Sequence, residues 1–165
     1  MPANTVEELI ADVLKGETQK NALDFIAFLK ASDIPFNYAD NFLDVHLQGR
    51  NVCSVLITGS DEKPGPWTIW SEQEPGTWVT WPDGEQGDAC RNVSVDERTK
   101  ENAWANVNYC ANCGGDCAPG KRKTVLGKAY DGLCSSALSF TDPDAAMLDC
   151  AKKMVEARRN DILRA

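Results

Sequence analysis

A single histidine, His46, occurs among the 165 residues, and no apolar run approaches the ~20 residues that a membrane-spanning helix needs. The histidine falls in a stretch of strand character with no nucleophile tied to it by spacing. It reads as an exposed or hydrogen-bonded strand residue, not as a catalytic base. The opening Met-Pro-Ala-Asn-Thr-Val-Glu-Glu lacks a basic region followed by an apolar block. No secretory signal is expected, and the chain is read as cytoplasmic. Basic residues are also scarce: 17 Lys and Arg stand against 25 Asp and Glu, a net charge of −8. That balance argues against nucleic acid as a general partner.

The remaining composition is that of an ordinary globular chain, with 42% hydrophobic and 25% charged residues. Its length suits one domain able to bury its own core without a metal. Charge is unevenly spread. Residues 1–109 hold 8 basic and 18 acidic side chains, whereas residues 110–165 hold 9 and 7.

Cysteine is plentiful, at seven residues. In a reducing compartment thiols act as metal ligands, catalytic groups or buried apolar side chains, and an odd number leaves one over from any full pairing. Three of the seven lie in Cys110-Ala-Asn-Cys113-Gly-Gly-Asp-Cys117, and Cys134 follows after sixteen further residues. A Cys-x2-Cys knuckle supplies two ligands to a tetrahedral Zn²⁺ at ~2.3 Å, and the gap to Cys134 suits a four-cysteine site. Gly114 lets the backbone turn so that N–H groups face the sulfurs. Four thiolates and one Zn²⁺ carry a net negative charge, and Lys121, Arg122, Lys123 and Lys128 outweigh Asp116 and Asp131 beside them.

Cys110, Cys113, Cys117 and Cys134 are therefore the expected ligands of a structural or regulatory Zn²⁺. A closed four-sulfur site keeps no open coordination position, which argues against metal catalysis. Three alternatives stay open. An iron–sulfur cluster normally uses other intervals. A Cys110–Cys113 redox pair has the right spacing but lacks a thioredoxin-type strand-to-helix setting. Plain reduced thiols are the third. Cys53 and Cys150 are expected in the core, Cys150 being the substitute ligand if a loop cysteine does not bind. Cys90 has no assigned role.

Thr5-Val-Glu-Glu8 is a capping box for a short helix ending near Gly16, and a second helix is expected over residues 18–32. Residues 42–47 and 52–58 alternate as strand and return strand. Pro64-Gly-Pro-Trp67-Thr-Ile-Trp70 is echoed by Pro75-Gly-Thr-Trp78-Val-Thr-Trp81, which suggests an antiparallel hairpin. Tryptophans three apart in a strand point to opposite faces. Core packing is the plain reading of this repeat; a ligand-binding surface at Trp70 or Trp81 is the functional one. Ser94-Val-Asp-Glu97 is a second capping box, for a helix running to about Asn106. Two short strands are expected around Gly127. Asp142-Pro143-Asp144 opens a long last helix with Asp142 as its cap.

The run from Trp104 through Tyr109 and the cysteines to Pro119-Gly120-Lys121, with Leu126-Gly127-Lys128, Cys134-Ser135 and Asp142-Pro143-Asp144, resembles a family of small uncharacterised bacterial proteins of clostridial type. The resemblance extends to residues 21–29 and to Val52-Cys53. The first half is also similar to YdhG-like domains of unknown function, which are α+β. The resemblance implies a cytoplasmic bacterial protein and a cysteine cluster acting as a unit. It brings no catalytic residues, and the acidic stretch over residues 72–88 departs from it.

The resulting expectation is an α+β fold. An antiparallel sheet of four or five strands with N-terminal helices is followed by a Cys-rich module and a long C-terminal helix. Residues 1–106 form the core domain. Residues 107–165 form the four-cysteine module, whose helix packs on the core in one compact unit. The expected function is binding or regulation around a structural zinc, with a small molecule or protein as partner. The alternative is a thiol-redox enzyme or sensor. A zinc-ribbon-like nucleic-acid contact through Lys121, Arg122 and Lys123 is a third class, and no membrane partner is expected.

Overall fold

The computed structural model describes residues 5–59, 64–73, 79–80, 95–113 and 119–165. The capping box forms as read. The Thr5 hydroxyl accepts from the Glu8 N–H, the Thr5 N–H donates to the Glu8 carboxylate, and α1 (Val6–Val13) follows. The second helix, α2 (Gly16–Ala31), starts two residues earlier than expected, taking Gly16 as its first residue. Gln19 Nε2 bridges the break, donating to the carbonyls of Ala11 at 3.1 Å and Leu14 at 2.9 Å. Those two carbonyls belong to the end of α1, where the helix leaves them without partners.

Strands β1 (Phe36–Ala39), β2 (Phe42–Leu47), β3 (Arg50–Gly59) and β4 (Pro64–Ser71) come next. After β5 (Val79–Thr80) and α3 (Glu97–Ala105), the chain adds β6 (Val107–Tyr109), β7 (Lys121–Val125), β8 (Lys128–Thr141) and α4 (Ala145–Arg164). The sheet runs β1-β2-β3-β4-β8-β7-β5, with β6 pairing β8, and every pairing is antiparallel. Among the described residues this makes eight strands, where four or five were expected.

Strands β1 and β6 have no expected counterpart, and β8 is longer than expected. The expected short strand at residues 128–133 continues for 14 residues to Thr141. Its inner half, Ser135-Ser-Ala-Leu-Ser, lacks the alternation and β-branched residues by which a strand is recognised. Pairing on both edges holds it extended: β6 and β7 flank the strand on opposite sides at Leu133, and β4 pairs with residues 139–141. Among the described residues the expected pairing of the two tryptophan strands is not seen, and Trp78 and Trp81 lie outside them. Strand β4 is occupied by β3 and β8, and β5 pairs with β7.

Register assigns the two faces of the sheet. Leu43, Val45, Cys53, Val55, Ile57, Trp67, Ile69 and Phe140 share one face and are buried. The Phe25 ring of α2 lies 6.1 Å from the Trp67 ring, and Arg158 of α4 donates to the Asn51 carbonyl at 3.2 Å, so helices cover this face. Burying a side chain such as Phe25 or Ile57 contributes about 1.5–3 kcal/mol. Phe42, Ser54 and Trp70 occupy the opposite face.

Two caps differ from expectation. Helix α3 is capped by Asp96, whose carboxylate accepts from the Thr99 N–H at 2.8 Å; Ser94 lies outside the described residues. Helix α4 is capped by Asp144, not Asp142. Asp142 is held by β4 instead: its N–H donates to the Trp67 carbonyl at 2.8 Å, and its carboxylate accepts from the Trp67 N–H at 3.0 Å. Among the described residues no helix is long and apolar enough to cross a membrane.

Candidate functional site

The face of the sheet opposite the helices carries a pocket of about 380 Å³. Its aromatic wall is built across three strands. Ser54 of β3 pairs with Trp70 of β4, and Phe42 of β2 lies beyond it. The small serine lets the two rings meet over β3, with centroids 6.5 Å apart and planes inclined at 36°. Trp67 and Trp70 thus serve opposite faces, as their spacing of three requires. Trp67 is in the core and Trp70 lines the pocket.

The facing wall carries the thiols. Cys110, Cys113 and Cys134 all border this pocket. Tyr109 pairs with Leu133, and the Cys110 N–H donates to the Gly132 carbonyl at 2.8 Å. Cys110 and Cys134 therefore occupy diagonal positions on one side of the β6–β8 ladder, where Cβ atoms stand roughly 7 Å apart. Cys113 is exposed at the rim, whereas Cys110 and Cys134 are half-buried.

Two glycines seat Cys110. A Cβ on Gly120 would lie 2.5 Å from the Gly132 carbonyl oxygen and 2.6 Å from Cys110 Cβ. The segment that leaves at Cys110 thus returns against it at Gly120. Gly132 has φ +75°, within the stretch where β7 and β8 shift register. Its conformation turns the carbonyl toward Cys110, the re-aiming role that irregular strand positions serve near sites.

Behind the thiol wall lies Lys123, 1% exposed, which donates through Nζ to the carbonyls of Cys134 at 2.5 Å and Ser135 at 3.1 Å. This burial corrects the idea of a basic run at residues 121–123. Lys123 is turned inward, Arg122 is paired with Asp131 at 3.6 Å, and the three cations do not present a common surface.

The other sequence candidates separate clearly. Cys53 and Cys150 are buried. Burial, with Glu72 and Asp44 nearby, drives the Cys53 thiol far above its ordinary range. Burial, with Asp149 nearby, pushes Cys150 up to about 12, and its Sγ donates to the Thr99 carbonyl at 3.4 Å. Both remain neutral thiols of the core, unsuited to ligand or nucleophile roles. His46 pairs with Asp44 at 3.2 Å on β2 and does not line the pocket. Cys117, Cys90 and Trp81 lie outside the described residues. Among the described residues no three His, Cys, Asp or Glu side chains converge as a metal-ligand group.

Sequence reasoning missed Phe42, Ser54, Asn108 and Ser136 as pocket residues. Asn108 Nδ2 donates to the Ser136 carbonyl at 2.9 Å, tying β6 to β8 beside Cys134. One signal was available: Phe42 occupies the outward position of a strand whose inward positions are Leu43 and Val45. No family model, curated protein or solved structure matches this chain significantly.

Proposed function

We propose that this protein is a cytoplasmic binding or regulatory protein. In this reading Cys110, Cys113, Cys134 and the sequence-assigned Cys117 hold a structural Zn²⁺ beside a ligand pocket floored by Trp70. The observation that supports it is that Cys110, Cys113 and Cys134 border one cavity with Trp70, although among the described residues no three such side chains converge as a ligand group. Those thiols come from the end of β6 and the middle of β8 and are 24 residues apart at the extremes. A metal there would tie two segments of the pocket wall together.

The test is elemental mass spectrometry on protein purified without oxygen, with free thiols counted in parallel. One zinc per chain, with about four thiols protected until a chelator is added, is the expected result. Metal-free protein with a disulfide among these cysteines would overturn it.

A second reading, thiol redox chemistry at Cys110 and Cys113, is favoured by the exposure of Cys113. In it the two thiols would pass two electrons and two protons to a partner disulfide, closing their own. Cys110→Ala separates the readings. Under zinc it destabilises the fold; under redox chemistry the fold survives and disulfide exchange is lost.

A further inference from the structure

We infer that the pocket takes an uncharged, planar aromatic small molecule stacked on Trp70. The inference rests on the binding half of the reading above and not on the metal. Three properties of the cavity select this chemistry.

The first is size: about 380 Å³ lies within the range of small-molecule sites. The second is shape. Trp70 and Phe42 are inclined to each other at 36°, so a flat ring can stack on one and meet the other edge-on. The third is charge. Among the described residues that line the cavity, none is Lys, Arg, Asp or Glu. Besides the thiols, the polar groups are the hydroxyls of Ser54, Tyr109, Ser135 and Ser136 and the amides of Gln73 and Asn108. Asn108 spends its amide N–H on Ser136, which leaves its carbonyl oxygen to accept from a ligand.

An anion would enter such a site without a cation to receive it, against a chain of net charge −8 and beside thiols. A cation would lose its water without gaining a carboxylate. A neutral heteroaromatic amide loses little on entry and finds both a stacking surface and hydrogen-bond partners. The sheet face therefore reads as a pocket for a heteroaromatic ring and not for a nucleotide, whose phosphates would find no Lys or Arg among the described lining residues.

The experiment uses matched probes of one shape. Quinoline-3-carboxamide, quinoline-3-carboxylate and 3-(aminomethyl)quinoline are titrated into the full chain by calorimetry and saturation-transfer NMR, with the corresponding indole trio as a second scaffold. The amides are expected to bind about tenfold or more tightly than their charged counterparts. Trp70→Leu, which keeps an apolar side chain but removes the stacking face, should weaken the amides about tenfold. Thermal unfolding of this variant checks that the fold is intact, and Ser54→Val serves as a second variant that blocks the floor between the rings.

Equal binding of amide and carboxylate, no binding by either amide, or amide binding unchanged in both variants would overturn the inference. So would a dimer that Trp70→Leu dissociates, because the face would then be an interface between copies. Zinc content is measured on the same samples. Zinc without amide binding sinks this inference alone, and amide binding without zinc sinks the metal reading alone.

Discussion

Lys123 Nζ donates to the carbonyl oxygen of Cys134 at 2.5 Å from a position that is almost wholly buried. A second bond to the Ser135 carbonyl, at 3.1 Å, completes a clamp on the strand that presents Cys134 to the pocket. An ammonium buried this way is costly to desolvate and is retained only where several acceptors surround it. Replacing it by methionine keeps the volume and strands two carbonyls. Lys123→Met is expected to lower unfolding stability by about 2–4 kcal/mol, read by urea titration. Loss below about 0.5 kcal/mol would mean that the clamp contributes little.

Gly120 should tolerate no side chain. An added Cβ meets the Gly132 carbonyl oxygen at 2.5 Å and Cys110 Cβ at 2.6 Å, and neither is the far end of a flexible side chain. Gly120→Ala is expected to cost about 1–3 kcal/mol and to shift the reactivity of Cys110. Gly127→Ala makes the useful contrast. It meets nothing within 4 Å but sits at φ +86°, so its cost comes from backbone strain and leaves Cys110 unaffected. Comparing Cys110 alkylation rates in the two variants distinguishes contact from strain.

Stability should fall in acid partly through Asp96. Its carboxyl is held below the ordinary range, first by the backbone N–H of Thr99, then by the Thr99 hydroxyl and Lys153. A depressed carboxylate stabilises the fold above its unfolded pKa of about 3.9, and that contribution is lost as pH falls through the lower folded value. Asp96→Asn keeps a capping side chain and removes the charge. The variant should therefore lose less stability between about pH 4 and pH 2 than the parent does, measured by urea midpoints across that range. Parallel curves would sink the assignment.

Thiol alkylation at about pH 8 should sort the cysteines into two groups. Cys113, exposed at the rim, is expected to react first once a chelator is present. Cys53 and Cys150 should remain unmodified until the protein unfolds, because burial holds their thiols neutral. Peptide mapping by mass spectrometry reads the order. Native-state labelling of Cys150 at the rate of Cys113 would contradict the burial.

Much that was legible in the chain was local. The Thr5–Glu8 capping box needs only residues three apart, and it forms as written. The split of Trp67 to the core and Trp70 to the opposite face needs only strand periodicity. The assignment of Cys53 and Cys150 to the core followed from their apolar neighbours at strand and helix spacing.

What failed depended on partners distant in sequence. Asp142 has every local mark of a helix cap, yet the backbone of Trp67, 75 residues away, captures it and passes the cap to Asp144. Ser135-Ser-Ala-Leu-Ser has weak strand propensity and is extended because β4 and β6 flank it. The second tryptophan motif resembles the first, but β4 already had both edges paired.

The sequence by itself determined the start of α1, the alternation that turns Trp70 away from the core, and the grouping of thiols near residues 110–134. Those features follow from periodicity and from bonds reaching a few residues. Only the tertiary structure decided that Cys110, Cys113 and Cys134 share a cavity with Trp70 and Phe42. That meeting depends on strand order, with β8 inserted between β4 and β7. Strand order is set by which edges find partners across the whole chain, and no local spacing records it.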